Sequence, residues 1–183
     1  DLIVSEMDEV IPALVAAVQE QHATGDHYRD DAIRQAMEHQ AQLALRPGPV
    51  RVDVIVDPPW SDGQINSVQV VTGDRPFLVD TVASCLLRHG WRVEDVRHPI
   101  IGVKRDRGTI EAVGMPGRGG CASESWIHID ATAPLGTDIG QAAEQLRDDL
   151  CACLDQVVCA TDDWGAMHEA MLRTAELVSA SSG

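Results

Sequence analysis

Three groups of residues in this sequence have the types and spacing that chemistry requires. The first is Gly73-Asp74-Arg75, where a valine-rich strand pattern stops and an apolar helix pattern begins after Pro76. Backbone N–H groups at such a helix start suit a carboxylate, and Arg75 could pair with one. Arg97-His98, on a later strand pattern, offers further contacts to a small ligand. The second group is Glu124, His128 and Asp130, which share one face of an alternating strand with Trp126. These residues supply acids and a base, but no nucleophile or metal set accompanies them, so an independent enzyme is the least favoured reading. The third group is the cysteines Cys85, Cys121, Cys151, Cys153 and Cys159. Three of them fall in one apolar helical pattern, where residues two apart diverge, and no second pair completes a ligand set. Reduced thiols in a cytoplasmic protein are therefore expected, and no metal. The glycine-rich loop Gly114–Ala122 lacks a Lys-Ser/Thr ending and a following helix, which excludes a phosphate loop.

The elements that position these residues must be built from aliphatic side chains. The chain has 183 residues, 44% of them hydrophobic, but only one phenylalanine, one tyrosine and four tryptophans. The formal net charge is −15, from 14 basic and 29 acidic residues, and Lys104 is the only lysine. Such a surface repels phosphate backbones, so no nucleic-acid partner is expected. No apolar run is long enough to cross a membrane, and no secretory signal is visible. The start at Asp1 and the serine-rich end suggest a segment of a longer protein.

Apolar spacings of three and four predict helices over 2–22 and 29–44. Thr24-Gly25-Asp26 closes the first, and Arg46-Pro47-Gly48-Pro49 stops the second. His39 and Arg46 fit capping or packing roles. The β-branched run 50–56 is a strand, and a loop follows through Gly63. The central unit is a strand over 65–72, a helix over 77–89 and strands over 92–104, 109–113 and 123–131. Asp74 is placed to cap that helix, Pro76 suits its first turn and Gly90 suits its left-handed end. Phe77 is expected as a buried anchor whose replacement by alanine would cost ~3–5 kcal/mol. Pro99 demands a sheet edge or a bulge within its strand. A helix follows from Thr137-Asp138, then a short final strand over 154–160 and a last helix opened by Asp162-Asp163-Trp164.

This order gives an α+β, ferredoxin-like βαββαβ antiparallel sheet with helices on one face. The expected organisation is a helical extension and strand over 1–63, the sheet domain over 64–160 and a C-terminal helix and tail over 161–183. If Ile127 and Ile129 lie under the helices, Trp126 and His128 face the other way. That face is then either an interface for a partner or covered by the chain's own N-terminal helix pair.

Asp74-Arg75-Pro76-Phe77-Leu78-Val79 after a valine-rich strand, with Gly90 ending the next helix, resembles the ACT domain, a small regulatory module that often binds amino acids. A longer resemblance spans roughly 35 to 170. Asp74 through Val82, His98-Pro99-Ile100, Arg105-Asp106, Glu124-Ser125-Trp126-Ile127-His128-Ile129 and Asp163-Trp164 recur in order. This looks like the N-terminal, ACT-like region of the large bacterial NAD-specific glutamate dehydrogenases. The resemblance implies a parent enzyme that deaminates L-glutamate to 2-oxoglutarate with NAD, its catalytic lysine and dinucleotide fold lying far downstream. The segment itself should be a non-catalytic regulatory or assembly domain without a cofactor. Its partners would be other domains of the same polypeptide and further copies in a homo-oligomer. The alternative is an amino-acid sensor with its site at the 73–77 turn. Phe77 stands where many ACT domains carry glycine, although the dehydrogenase family shares the phenylalanine.

Overall fold

A computed structural model of the chain describes residues 2–3, 7–22, 30–61, 63–162, 171 and 173–174. Its centre is a seven-stranded antiparallel sheet. The strands are β1 (Leu2–Ile3), β2 (Val50–Ile55), β3 (Asn66–Gly73), β4 (Arg92–Arg97), β5 (Ile100–Asp106), β6 (Thr109–Gly114) and β7 (Ala122–Thr132). The helices are α1 (Met7–His22), α2 (Asp30–Ala44), α3 (Leu78–Arg88) and α4 (Ile139–Asp162). β7 is the long central strand, pairing with β3 on one side and with both β4 and β5 on the other.

Alternation along β3 and β7 divides the core in two. Val68, Val70, Ile127 and Ile129 lie under α3 and α4, together with Val82, Leu86, Leu146 and Leu150. Val71 and Trp126 lie on the opposite face under α1 and α2, against Leu14, Val18, Met37 and Ala41. The sheet is therefore covered on both faces. The expected α+β, ferredoxin-like class holds, with a second helical layer added by the N-terminal pair.

Local chemistry accounts for several boundaries. α3 ends in a Schellman motif, with Gly90 at φ 74°, its N–H donating to Leu87 O and the Trp91 N–H to Leu86 O. Asp138 caps α4, its Oδ1 accepting the Gln141 N–H at 3.1 Å. Arg107 and Gly108, both at positive φ, form the tight turn between β5 and β6. His98-Pro99 interrupts the strand path along β7 between β4 and β5, and β4 pairs with β7 alone. Proline's missing donor thus falls at a break in the ladder, as its chemistry requires.

Two expectations are corrected. Leu2–Ile3 form a short strand pairing with Val113 and Ala112 rather than the start of a helix. Residues 154–160 are helical, within an unbroken α4, not a closing strand. The edge beside β3 that such a strand would occupy is filled by β2, from the N-terminal side. Leu154 points into the core from α4, and this burial settles the local ambiguity in favour of helix. The Thr24-Gly25-Asp26 stop and the last helix beyond Asp162 fall almost wholly outside the described residues.

Candidate functional site

The turn from β3 into α3 holds its polar groups inward. The Asp74 N–H donates to Ser123 O at 2.9 Å. Asp74 Oδ1 accepts from Ser125 Oγ at 2.6 Å, and His98 Nε2 lies 2.9 Å from the same hydroxyl. Because Ser125 spends its proton on Asp74, His98 must donate through Nε2–H. Burial pushes the His98 pKa down, against the opposing pull of the Asp74 carboxylate. Asp74 is therefore not the expected helix cap. The N-cap position is held by Phe77, with φ 71° and no side-chain cap bond.

Arg75 reaches the far end of α4. Its Nη1 donates to Thr161 Oγ1 at 3.0 Å, to Asp162 Oδ1 at 2.6 Å and to Val158 O at 3.4 Å. These bonds tie the turn before α3 to α4. Phe77 is not the buried anchor that its apolar surroundings in the sequence suggest. It is 68% exposed, beside an apolar hollow of about 400 Å³ bounded by Pro76, Val157, Ala160 and Thr161. The left-handed backbone turns its ring outward while the next residue, Leu78, enters the core.

Arg97 and His98, adjacent in sequence, serve different faces. Arg97 Nη2 donates to Asp130 Oδ2 at 2.6 Å on the α1/α2 side, while His98 joins Asp74 at the turn. Of the candidate residues, Gly73, Asp74, Arg75 and His98 come together, and Arg97 meets His128 through Asp130.

Trp126 and His128 are not an open surface. Trp126 is fully buried, and His128 is the centre of a buried polar network that ties α2 to the sheet. Gln69 donates to Ala36 O at 2.9 Å and to His128 Nδ1 at 3.1 Å, while its Oε1 accepts from His39 Nδ1 at 2.8 Å. His128 Nε2–H then donates to Asp130 Oδ1 at 3.0 Å. Trp60 Nε1 donates to Ser67 Oγ, which contacts Asp130 in turn. These partners define a neutral His128. A second proton on Nδ1 would confront the Gln69 amide, and burial already pushes the imidazole pKa down.

Sequence reasoning missed Gln69 and Ser67 as partners of this network. Their signal was present: polar residues alternating with Val68 and Val70 along a strand buried nearly throughout. Glu124 is likewise structural, paired with Arg105 through two hydrogen bonds of 2.6 and 3.1 Å, with Arg105 also donating to Ala44 O. Glu124, His128 and Asp130 thus have internal partners and do not converge on a cleft. Among the described residues no His, Cys, Asp or Glu cluster could hold a metal ion, and no helix is long and apolar enough to cross a membrane.

No curated protein matches the chain at a significant level. A family profile does, over residues 14–150, described as the ACT1 domain of glutamate dehydrogenase. The match spans α2, α3 and β2–β7 with part of α1 and the first half of α4, and so includes the Asp74–Phe77 turn and the His128 network. The chain belongs to the glutamate dehydrogenase ACT1 domain family.

Proposed function

We propose that this chain is a non-catalytic regulatory and assembly domain of an NAD-dependent glutamate dehydrogenase. The parent enzyme would convert L-glutamate and NAD to 2-oxoglutarate, ammonium and NADH in the cytoplasm, as a homo-oligomer. NAD would bind the parent elsewhere. The observation that carries this reading is Phe77. The chain's only phenylalanine stands exposed in a left-handed conformation, on a turn whose charged groups are engaged internally. An apolar ring displayed on a rigid turn suits contact with another part of the parent polypeptide.

The test is Phe77→Asp in the parent enzyme, followed by light scattering for mass and by dehydrogenase assays. An altered assembly state or altered regulation, with the domain's own stability retained, is expected. A parent enzyme unchanged in both respects removes Phe77 as a contact.

The hollow beside Phe77 favours one second reading, an amino-acid sensor. An apolar side chain would enter the hollow, and the α-carboxylate would replace Asp162 on Arg75. Asp162→Asn frees Arg75 without removing it. Calorimetry against the common amino acids should then show tighter binding than in the unaltered chain. No binding to either protein at millimolar concentration sinks the sensor reading.

A further inference from the structure

Cys85 and Cys153 meet where α3 packs against α4. Cys85 is fully buried on α3, and Cys153 is half-buried on α4. Both thiols belong to the apolar cluster at this seam, and the Nη2 of Arg88, one turn beyond Cys85, lies 3.2 Å from Cys153 Sγ. Cys153 also lines a surface groove of about 440 Å³, with Asp80, Thr81, Ser84 and Gln156 around it. One sulfur is thus reachable from solvent and the other is not, and a guanidinium stands ready for negative charge developing on the reachable one.

We propose that Cys153 and Cys85 are a peroxide-sensitive thiol pair that closes to a disulfide bridging α3 and α4. Cys153 attacks hydrogen peroxide, breaking the O–O bond, and becomes a sulfenic acid with release of one water. Cys85 then attacks the sulfenic sulfur, forming the S–S bond and releasing a second water. Two thiols lose two hydrogens and two electrons, and the peroxide takes up both. Burial keeps Cys85 away from peroxide and pushes its thiol pKa up, so the first step falls to Cys153 in the groove. The bridge would pin the helix pair near the C-terminal end of α3. Arg75 already holds α4 beside the N-terminal end of α3, next to Phe77. Oxidation would therefore stiffen the scaffold behind the proposed contact surface.

The test treats the 183-residue chain with hydrogen peroxide and maps its peptides under non-reducing conditions. A Cys85–Cys153 cross-link is expected, with loss of two hydrogens from the intact mass and reversal by dithiothreitol. The double variant Cys151→Ser, Cys159→Ser should retain the cross-link, and Cys153→Ser should abolish it while leaving Cys85 unoxidised. The folded, oxidised protein should also melt several degrees higher, and the reduced protein should return to its original midpoint. Over-oxidation of Cys153 to the sulfinic acid without a cross-link overturns the proposal. So does oxidation confined to Cys151 or Cys159.

Discussion

Replacing Phe77 tests the local structure most sharply, because burial and backbone geometry predict opposite orders of stability. Full burial of a phenylalanine removes about 200 Å² from water. With the ring 68% exposed, roughly a third of that, about 65 Å², is covered, which at ~25 cal/mol per Å² is worth at most ~1.6 kcal/mol. Phe77→Ala should therefore cost no more than ~1.5 kcal/mol, against the ~3–5 kcal/mol expected of a buried anchor. Alanine keeps the Cβ, and with it the strain of φ 71°, about 1–2 kcal/mol. Glycine removes that strain at a cost of about 0.5–1 kcal/mol in unfolded-chain entropy. Phe77→Gly should consequently be more stable than Phe77→Ala by about 0.5–1 kcal/mol. Equilibrium denaturation with urea, with calorimetry for the melting temperatures, measures both differences. An alanine variant losing 3 kcal/mol or more, or an alanine variant more stable than the glycine variant, would refute the assignment of an exposed, left-handed Phe77.

Asp130→Ala removes the carboxylate shared by His128 and Arg97 and should destabilise the chain by about 3–5 kcal/mol, read as a shift in urea midpoint. His128 and His98 both have folded pKa values held below the ordinary 6.5, chiefly by burial, so the unfolded chain takes up protons first. Their contribution is present above pH 6.5 and is lost as pH falls below it, so the urea midpoint should drop between pH 7.5 and 5.5. His128→Gln should flatten that slope, and an unchanged slope would show that His128 does not titrate with unfolding. Gly102→Ala would place a Cβ 2.4 Å from Gly114 O and from the Met115 carbonyl carbon. Backbone must move to admit it, and a loss of about 1–3 kcal/mol is expected in the same assay.

Much of this fold was legible locally. The Asp74–Pro76 break, Gly90 behind α3 and Pro99 between β4 and β5 each impose a backbone requirement that neighbouring residues alone reveal. The alternation of β7 likewise sorted Ile127 and Ile129 from Trp126 and His128 before any contact was known. Periodicity states which side chains share a face but not what covers that face. Only the docking of α1 and α2, through Gln40 and the His39–Gln69–His128 chain, decided that Trp126 is core. Residues 154–160 satisfy both strand and helix patterns, and the choice fell to helix because β2 already fills the edge beside β3. Phe77 and Arg75 carry the same lesson for the candidate site. Their types suggested a core anchor and a free cation, but a left-handed φ and the end of α4, 83 or more residues away, reversed both roles. Side-chain type and spacing act over a few residues, whereas burial and pairing are settled by segments that meet only once the sheet has formed.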